Sequence, residues 1–134
     1  MMPRLAEFDL RFPEEPIRAD RPREEWHRLR ASATTPIAAC ENIASIEGFK
    51  EALSEDVLGV VQSDIAKCSE LSARVRLARD ILKSGKTFCP HYLGGGTGLL
   101  VSAHLLGCIG GDDWREVDAN DDLLRDLFCA RSAK

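Results

Sequence analysis

The chain has 134 residues, 44% of them hydrophobic, 30% charged and 6% aromatic, which is the size of one ordinary globular domain and too apolar for a disordered one. Lys and Arg number 18 against 22 Asp and Glu, a net charge of -4, so a nucleic-acid partner is not expected. The most apolar stretch, residues 98–110, is shorter than the ~20 residues of a membrane helix, and no membrane partner is expected either.

Met1-Met2-Pro3-Arg4 leads straight into charged residues, so no secretory leader is expected. The first short apolar run, 8–12, reads as a strand. Pro22 then supports an early-turn helix start, with Trp26 and Leu29 on one face. The arginines from Arg18 to Arg30 are interleaved with Asp20, Glu24 and Glu25, a solvated helix face more than a phosphate-binding patch. A second run, 36–39, precedes a helix that Ser45 can cap and that carries Ile46, Phe49 and Leu53. The third run, 59–62, precedes the clearest helix. There Leu71, Val75, Ala78 and Leu82 form one stripe, Arg74, Arg76 and Arg79 lie off it, and Gly85 stops it. A fourth run, 87–89, leads to a helix from Leu99 to about Cys108 that is apolar on most sides and expected to be buried; the fifth run is 114–117.

Strand and helix patterns alternating in this way imply right-handed crossovers and a parallel α/β sheet. Cysteines at 40, 68, 89, 108 and 129 are odd in number and include no C-x-x-C pair, so free thiols in a reducing cytoplasm are expected.

Glu14, Glu41, Asp64, His91 and Glu116 each stand at or just past the C-terminal end of one run, at spacings of 27, 23, 27 and 25 residues. In a parallel barrel all strand C-termini open on one face, where sites are built. Taken singly, each of the five is an ordinary charged loop residue. The regular series is what points to a site.

Local motifs add to this. Glu14-Glu15-Pro16, Pro36-Ile37-Ala38-Ala39-Cys40-Glu41-Asn42, Val61-Gln62-Ser63-Asp64-Ile65-Ala66-Lys67 and Pro90-His91 occur in order, followed by Glu116-Val117-Asp118-Ala119-Asn120 and Leu124-Arg125. Together they resemble the C-terminal barrel of the enolase superfamily, in its mandelate racemase subgroup, from about Phe8 to Arg125. The resemblance implies a partial (β/α) TIM-type barrel of about five βα units, incomplete at its N-terminal side, with residues 1–134 as the C-terminal portion of the barrel domain.

It further implies that Glu14 and Glu41 are two of three carboxylates holding Mg²⁺, whose hard oxygen ligands these are. Asp64 would orient His91 and stabilise its charged form, and His91 would move a proton on the carbon next to a substrate carboxylate. Glu116 would hydrogen-bond the carboxylate oxygen that gains charge. The implied substrate is a small carboxylate, with dehydration of a sugar acid placed ahead of cycloisomerisation or racemisation. Such a proton is a very weak acid, so a base worth ~10²–10⁴-fold needs a cation and an acidic hydrogen bond beside it.

Other residues have quieter expected roles. Lys67 matches a lysine that is the base in other branches; with His91 present it is expected to be a supporting charge at the substrate-binding site. Glu15 is expected to be structural or solvated, His104 a packing or surface residue, and His27 part of a charged helix. The run Gly94-Gly95-Gly96-Thr97-Gly98 breaks the G-x-G-x-x-G pattern at Leu99 and reads as a flexible loop after the His91 strand.

Three positions depart from the family pattern. Cys40 stands where glycine commonly precedes the metal glutamate, Ser63 replaces a proline, and Cys68-Ser69-Glu70 replaces a Gly-Gly turn. If that turn needs a positive φ, Ser69 or Glu70 would be strained.

The resemblance also places the third metal carboxylate, a Lys-x-Lys strand and a capping domain upstream of Met1. Exposed strand edges in a part-barrel invite pairing, so self-association or a separate N-terminal half is the expected partner. Two further readings stay open: a non-catalytic remnant of such an enzyme, and a five-stranded flavodoxin-like domain. The latter would show strand order 2-1-3-4-5 in place of sequential neighbours.

Overall fold

Three short parallel strands organise the molecule: β1 (Ala38–Ala39), β2 (Val60–Val61) and β3 (Thr87–Phe88). The computed structural model describes residues 2–68, 70–110 and 114–128, and within these the sheet order is β1-β2-β3. The helices are α1 (Met2–Leu5), α2 (Arg23–Ala31), α3 (Ile46–Ser54), α4 (Leu71–Lys83), α5 (Gly96–Ile109) and α6 (Leu123–Phe128). Ala38 pairs with Val60 and Val60 with Thr87, each in parallel register. Consecutive strands are therefore direct neighbours. That excludes the 2-1-3-4-5 order, which keeps the second and third strands apart.

Two of the five expected strands do not form. Residues 6–8 make a 3-10 turn, and Phe8 and Leu10 are exposed. Pairing on that side begins only at Glu14, which forms a parallel bridge with Ala38. Residues 114–117 stay irregular, with Trp114 and Val117 about half exposed. Their tie to the sheet is the Glu116 N–H, which donates to the Pro90 carbonyl at 3.3 Å. Apolar alternation marks a segment able to be buried. A ladder also needs a neighbour with free backbone groups; the first run meets one only beyond its end, at Glu14, and the second is tied at Glu116.

The helices begin where their caps put them. Pro22 is the N-cap of α2, and the Ser45 hydroxyl accepts from the Gly48 N–H at 3.1 Å at the start of α3, whose Phe49 is fully buried. Gly85, at φ 76, ends α4 in the left-handed conformation that glycine adopts at least cost. The face of α4 is shifted from the expected stripe: Val75, Ala78 and Leu82 do meet the core, but Leu71 is exposed, and the buried residues are Arg74, Leu77, Ala78 and Ile81. The buried set keeps the helical spacings i, i+3, i+4 and i+7 and takes an arginine inward. Helix α5 is half buried rather than enclosed: Leu99, Ser102 and Leu105 face inward, whereas Leu100, His104 and Cys108 are exposed.

Side chains on the two faces of the sheet divide cleanly. Ala39, Val61 and Phe88 face the helices and join Phe49, Leu77, Ala78, Ile81 and Leu105 in the main core. Ala38, Val60 and Cys89 lie on the opposite face with Phe12 against them. Cys40, Cys68, Cys89 and Cys108 are free thiols; Cys129 and Ser69 lie outside the described residues. Glu70 sits at φ -66, so the strain considered for it is absent. Cys40 does carry strain, at φ 98. No helix of the described residues is long and apolar enough to cross a membrane.

Candidate active site

Because the strands are parallel, their C-terminal ends open on one side. Glu41 follows β1 by two residues, Asp64 follows β2 by three, and His91 follows β3 by three. Asp64 and His91 form a parallel bridge; the Ile65 N–H donates to the His91 carbonyl, and the His91 N–H to the Ser63 carbonyl, both at 3.2 Å. The backbone thus sets these two side chains next to each other before any side-chain contact is counted.

His91, only 3% exposed, is the centre of the cluster. Its Nδ1 lies 3.3 Å from Asp64 Oδ2, and its Nε2 lies 3.0 Å from Glu41 Oε2 and 3.6 Å from Glu116 Oε1. With a carboxylate oxygen against each ring nitrogen, a doubly protonated imidazole donates on both sides. Asp64 is held from its other oxygen, Oδ1, which accepts from the Ala66 N–H at 2.7 Å. Lys67 Nζ donates to Asn42 Oδ1 at 3.0 Å and lies 3.5 Å from Asp64 Oδ2 and 3.9 Å from Glu41 Oε1.

The charges crowd one another. Burial, with the nearby Glu41 and Glu14 carboxylates, holds Glu15 above the usual carboxylate range, partly opposed by Lys67 and His91. Burial likewise pushes Glu116 up; His91 opposes it, and Glu14, Glu41 and Asp118 add to it. The buried Cys40 thiol, beside Glu15, is pushed up to about 12.

Asp64, His91, Glu41, Glu116 and Lys67 are therefore brought together by direct contact. Glu14 is exposed, and its field reaches Glu15 and Glu116. Glu15, expected to be merely structural or solvated, shares this charge cluster and has a buried Oε1 without a hydrogen-bond partner.

Gln62 is a further member. It is 1% exposed, its amide donates to Glu116 Oε2 at 3.4 Å, and its own Oε1 is buried without a partner. A polar residue closing the apolar run 59–62 was the sequence signal for it. Gly96, Thr97 and Gly98, expected in a flexible loop, form the first turn of α5 instead; a Cβ on Gly98 would lie 2.2 Å from the Tyr92 ring, and one on Gly94 2.8 Å from its hydroxyl. A cavity of about 220 Å³ between α2, α3 and the sheet, lined by Trp26, Ala39, Ala52 and Leu58, contains none of the five site residues.

The family resemblance implies a metal ion at this site. Among the described residues no group of three or more His, Cys, Asp or Glu is arranged to hold one. Glu14 and Glu41 nevertheless supply hard oxygen donors, and Mg²⁺ is commonly held by one or two carboxylates with water or substrate completing the shell. Burial is the main cause of the upward push on Glu15 and Glu116, and the Glu14 and Glu41 carboxylates add to it, a contribution that a cation would offset. In its chemistry the site fits such an ion.

A protein-family model described as enolase C-terminal domain-like matches residues 1–133. The chain belongs to this enolase family. A mandelate racemase/muconate lactonizing enzyme from Bordetella bronchiseptica RB50 is similar to it at 44% identity and a TM-score of 0.90, over 95% of this chain and 36% of that one. The 3,6-anhydro-D-galactonate cycloisomerase from Zobellia galactanivorans matches at 25% identity and a TM-score of 0.84, over 93% of this chain and 35% of that one. A D-galactonate dehydratase from Xanthomonas oryzae pv. oryzae is 32% identical over 101 residues, which is 75% of this chain and 26% of the relative. The chain thus spans about a quarter to a third of the length of these relatives. The three-stranded sheet with its sequential helices is a part of the enolase C-terminal fold, which is of the TIM-barrel type.

Proposed function

We propose that the chain carries the proton-transfer side of a Mg²⁺-dependent site that removes a proton next to the carboxylate of a sugar acid, most plainly in a dehydratase. The observation that supports this is His91, buried and flanked by Asp64, Glu41 and Glu116 where the parallel strands end. Asp64 at Nδ1 fixes the ring and leaves Nε2 as the nitrogen that takes or returns the proton. Glu116, raised by burial, carries a proton to higher pH than an ordinary carboxyl and suits a hydrogen bond to an oxygen that gains charge. Lys67 adds positive charge beside the substrate carboxylate. Glu14 and Glu41 would hold Mg²⁺, which when bound supplies further stabilisation of that charge. Loss of the α-proton and the β-hydroxyl leaves an enol that becomes a 2-keto-3-deoxy acid. Residues 1–134 are read as the C-terminal portion of the barrel domain that houses this site.

The similarity to a D-galactonate dehydratase and to an anhydro-D-galactonate cycloisomerase supports the sugar-acid class. Incubation with Mg²⁺ and a panel of sugar acids in D₂O, followed by proton NMR, tests it. The expected outcome is α-deuteration or keto-acid formation that falls at least ~10²-fold in His91→Asn, the scale of a lost general base. Absence of both signals across the panel would sink the proposal. A second reading, binding without turnover, draws support from the lack of a three-ligand set among the described residues; sugar-acid binding without deuteration would favour it.

A further inference from the structure

We propose that Arg74 is a positioning residue for the Asp64–His91 pair, reaching across from α4 to fix the backbone of Asp64 so that its carboxylate stays on the imidazole. This rests on the reading of Asp64 and His91 as the proton-transferring pair.

Arg74 lies on the inward face of α4 and is 3% exposed. Its Nη1 donates to the Asp64 carbonyl at 2.5 Å and to the Ser63 hydroxyl at 3.4 Å. A guanidinium has only donors and keeps its charge, so once buried it must spend its N–H groups on acceptors. Two of them belong to the residue that orients His91 and to the residue before it. Burial works against the charged form of Arg74, whereas Cys68 and, after it, the Asp64 carboxylate support it.

The segment needs such an anchor. Residues 63–65 lie beyond the end of β2 and pair with His91 through Ile65 N–H to His91 carbonyl and His91 N–H to Ser63 carbonyl. Immediately afterwards the chain turns, at residues 65–67. Ser63 stands where the family resemblance expects proline, and serine has the backbone freedom that a proline ring removes. The cross-link from Arg74 to Ser63 and Asp64 supplies from a neighbouring helix the rigidity that a proline would supply locally. A charge-assisted bond of this kind is about twice as strong as a neutral one. Because it acts on the main chain, it fixes the root of the Asp64 side chain while leaving both carboxylate oxygens for Ala66, Lys67 and His91.

The test uses the full chain and reads the ring directly. Nitrogen-15 NMR of labelled histidine follows the His91 Nδ1 proton against Asp64, and amide exchange follows Ile65 and Ala66, with Thr87 and Cys89 as reference amides from the sheet. Arg74→Met keeps the apolar stem and removes the donors. The expected result is loss of the Nδ1 proton signal, with Ile65 and Ala66 exchanging at least tenfold faster relative to Thr87 and Cys89; Arg74→Lys restores part of both. An arginine serving stability alone would speed all four amides together. Equal acceleration, or an unchanged Nδ1 signal in folded Arg74→Met, overturns the proposal. Should Arg74→Met not fold, Arg74→Lys and Ser63→Ala decide on the same readouts, and wild-type behaviour in both overturns it. None of these measurements needs turnover, so a failed sugar-acid assay counts against the proposed function and leaves this inference to its own evidence.

Discussion

Cys40 joins the sheet to the candidate site, one residue after Ala39 and one before Glu41. Its φ of 98 lies in a region that costs an L-residue roughly 1–3 kcal/mol, and most for a β-branched one. Cys40→Val should therefore lower stability by about 2 kcal/mol or more in urea unfolding. Cys40→Gly relieves the strain, loses a buried thiol and gains unfolded-state entropy, so its stability should stay within about 1 kcal/mol of the parent. Equal effects from the two replacements would show that the backbone at this position is not under strain. Glu41, the next residue, depends on where this turn sets the chain, and through it so does its contact with His91.

Helices and loops here follow local rules until a side chain from elsewhere intervenes. The cap at Ser45, the proline before α2 and the glycine after α4 are all readable from residue types. The burial of Arg74 on α4 was not, because an arginine off the apolar stripe ordinarily points to water. Acceptors at Ser63 and Asp64, just beyond β2, help to make its burial tolerable. The glycine run after β3 is a second case. Gly98 is needed because the Tyr92 ring occupies the space where a Cβ would sit, with a would-be contact of 2.2 Å. Gly98→Ala should cost about 1–3 kcal/mol, the scale of overpacking. In a double-mutant cycle Tyr92→Ala should recover most of that loss; additive effects would mean the ring is not the obstacle.

At the scale of the whole molecule, the crowding of carboxylates sets a pH dependence. Glu15 and Glu116 bind their protons more tightly folded than unfolded, since burial and neighbouring carboxylates raise both. Their contribution is therefore most favourable below the unfolded value of about 4.3 and is lost as pH rises through the raised folded values. Glu116→Gln and Glu15→Gln should gain stability over the parent as pH climbs through that window and show no gain below it. A gain that is the same at every pH would contradict this account.

Much of the architecture was legible: three strands, the helices between them and the parallel sense all follow from alternation and caps. The runs 8–12 and 114–117 misled because apolar pattern reports a capacity for burial, whereas Phe8, Leu10, Trp114 and Val117 remain exposed here. The convergence at the candidate site was legible because parallel strands turn unit spacing into spatial proximity, so Glu41, Asp64, His91 and Glu116 meet. Gln62, Glu15 and Arg74 were harder to see, since their places depend on distances between units that no local pattern encodes.

Nearest-neighbour pairing in chain order has a kinetic consequence. Ala38 meets Val60 and Val60 meets Thr87, so the sheet grows by closing loops of similar, modest length, and loop-closure entropy rises only slowly with length. No pairing has to wait for a distant one, and assembly can proceed unit by unit. His91, however, touches side chains from three other units: Glu41, Asp64 and Glu116. Its surroundings are complete only after every one of those closures, which makes the imidazole a natural clock for the last step of folding.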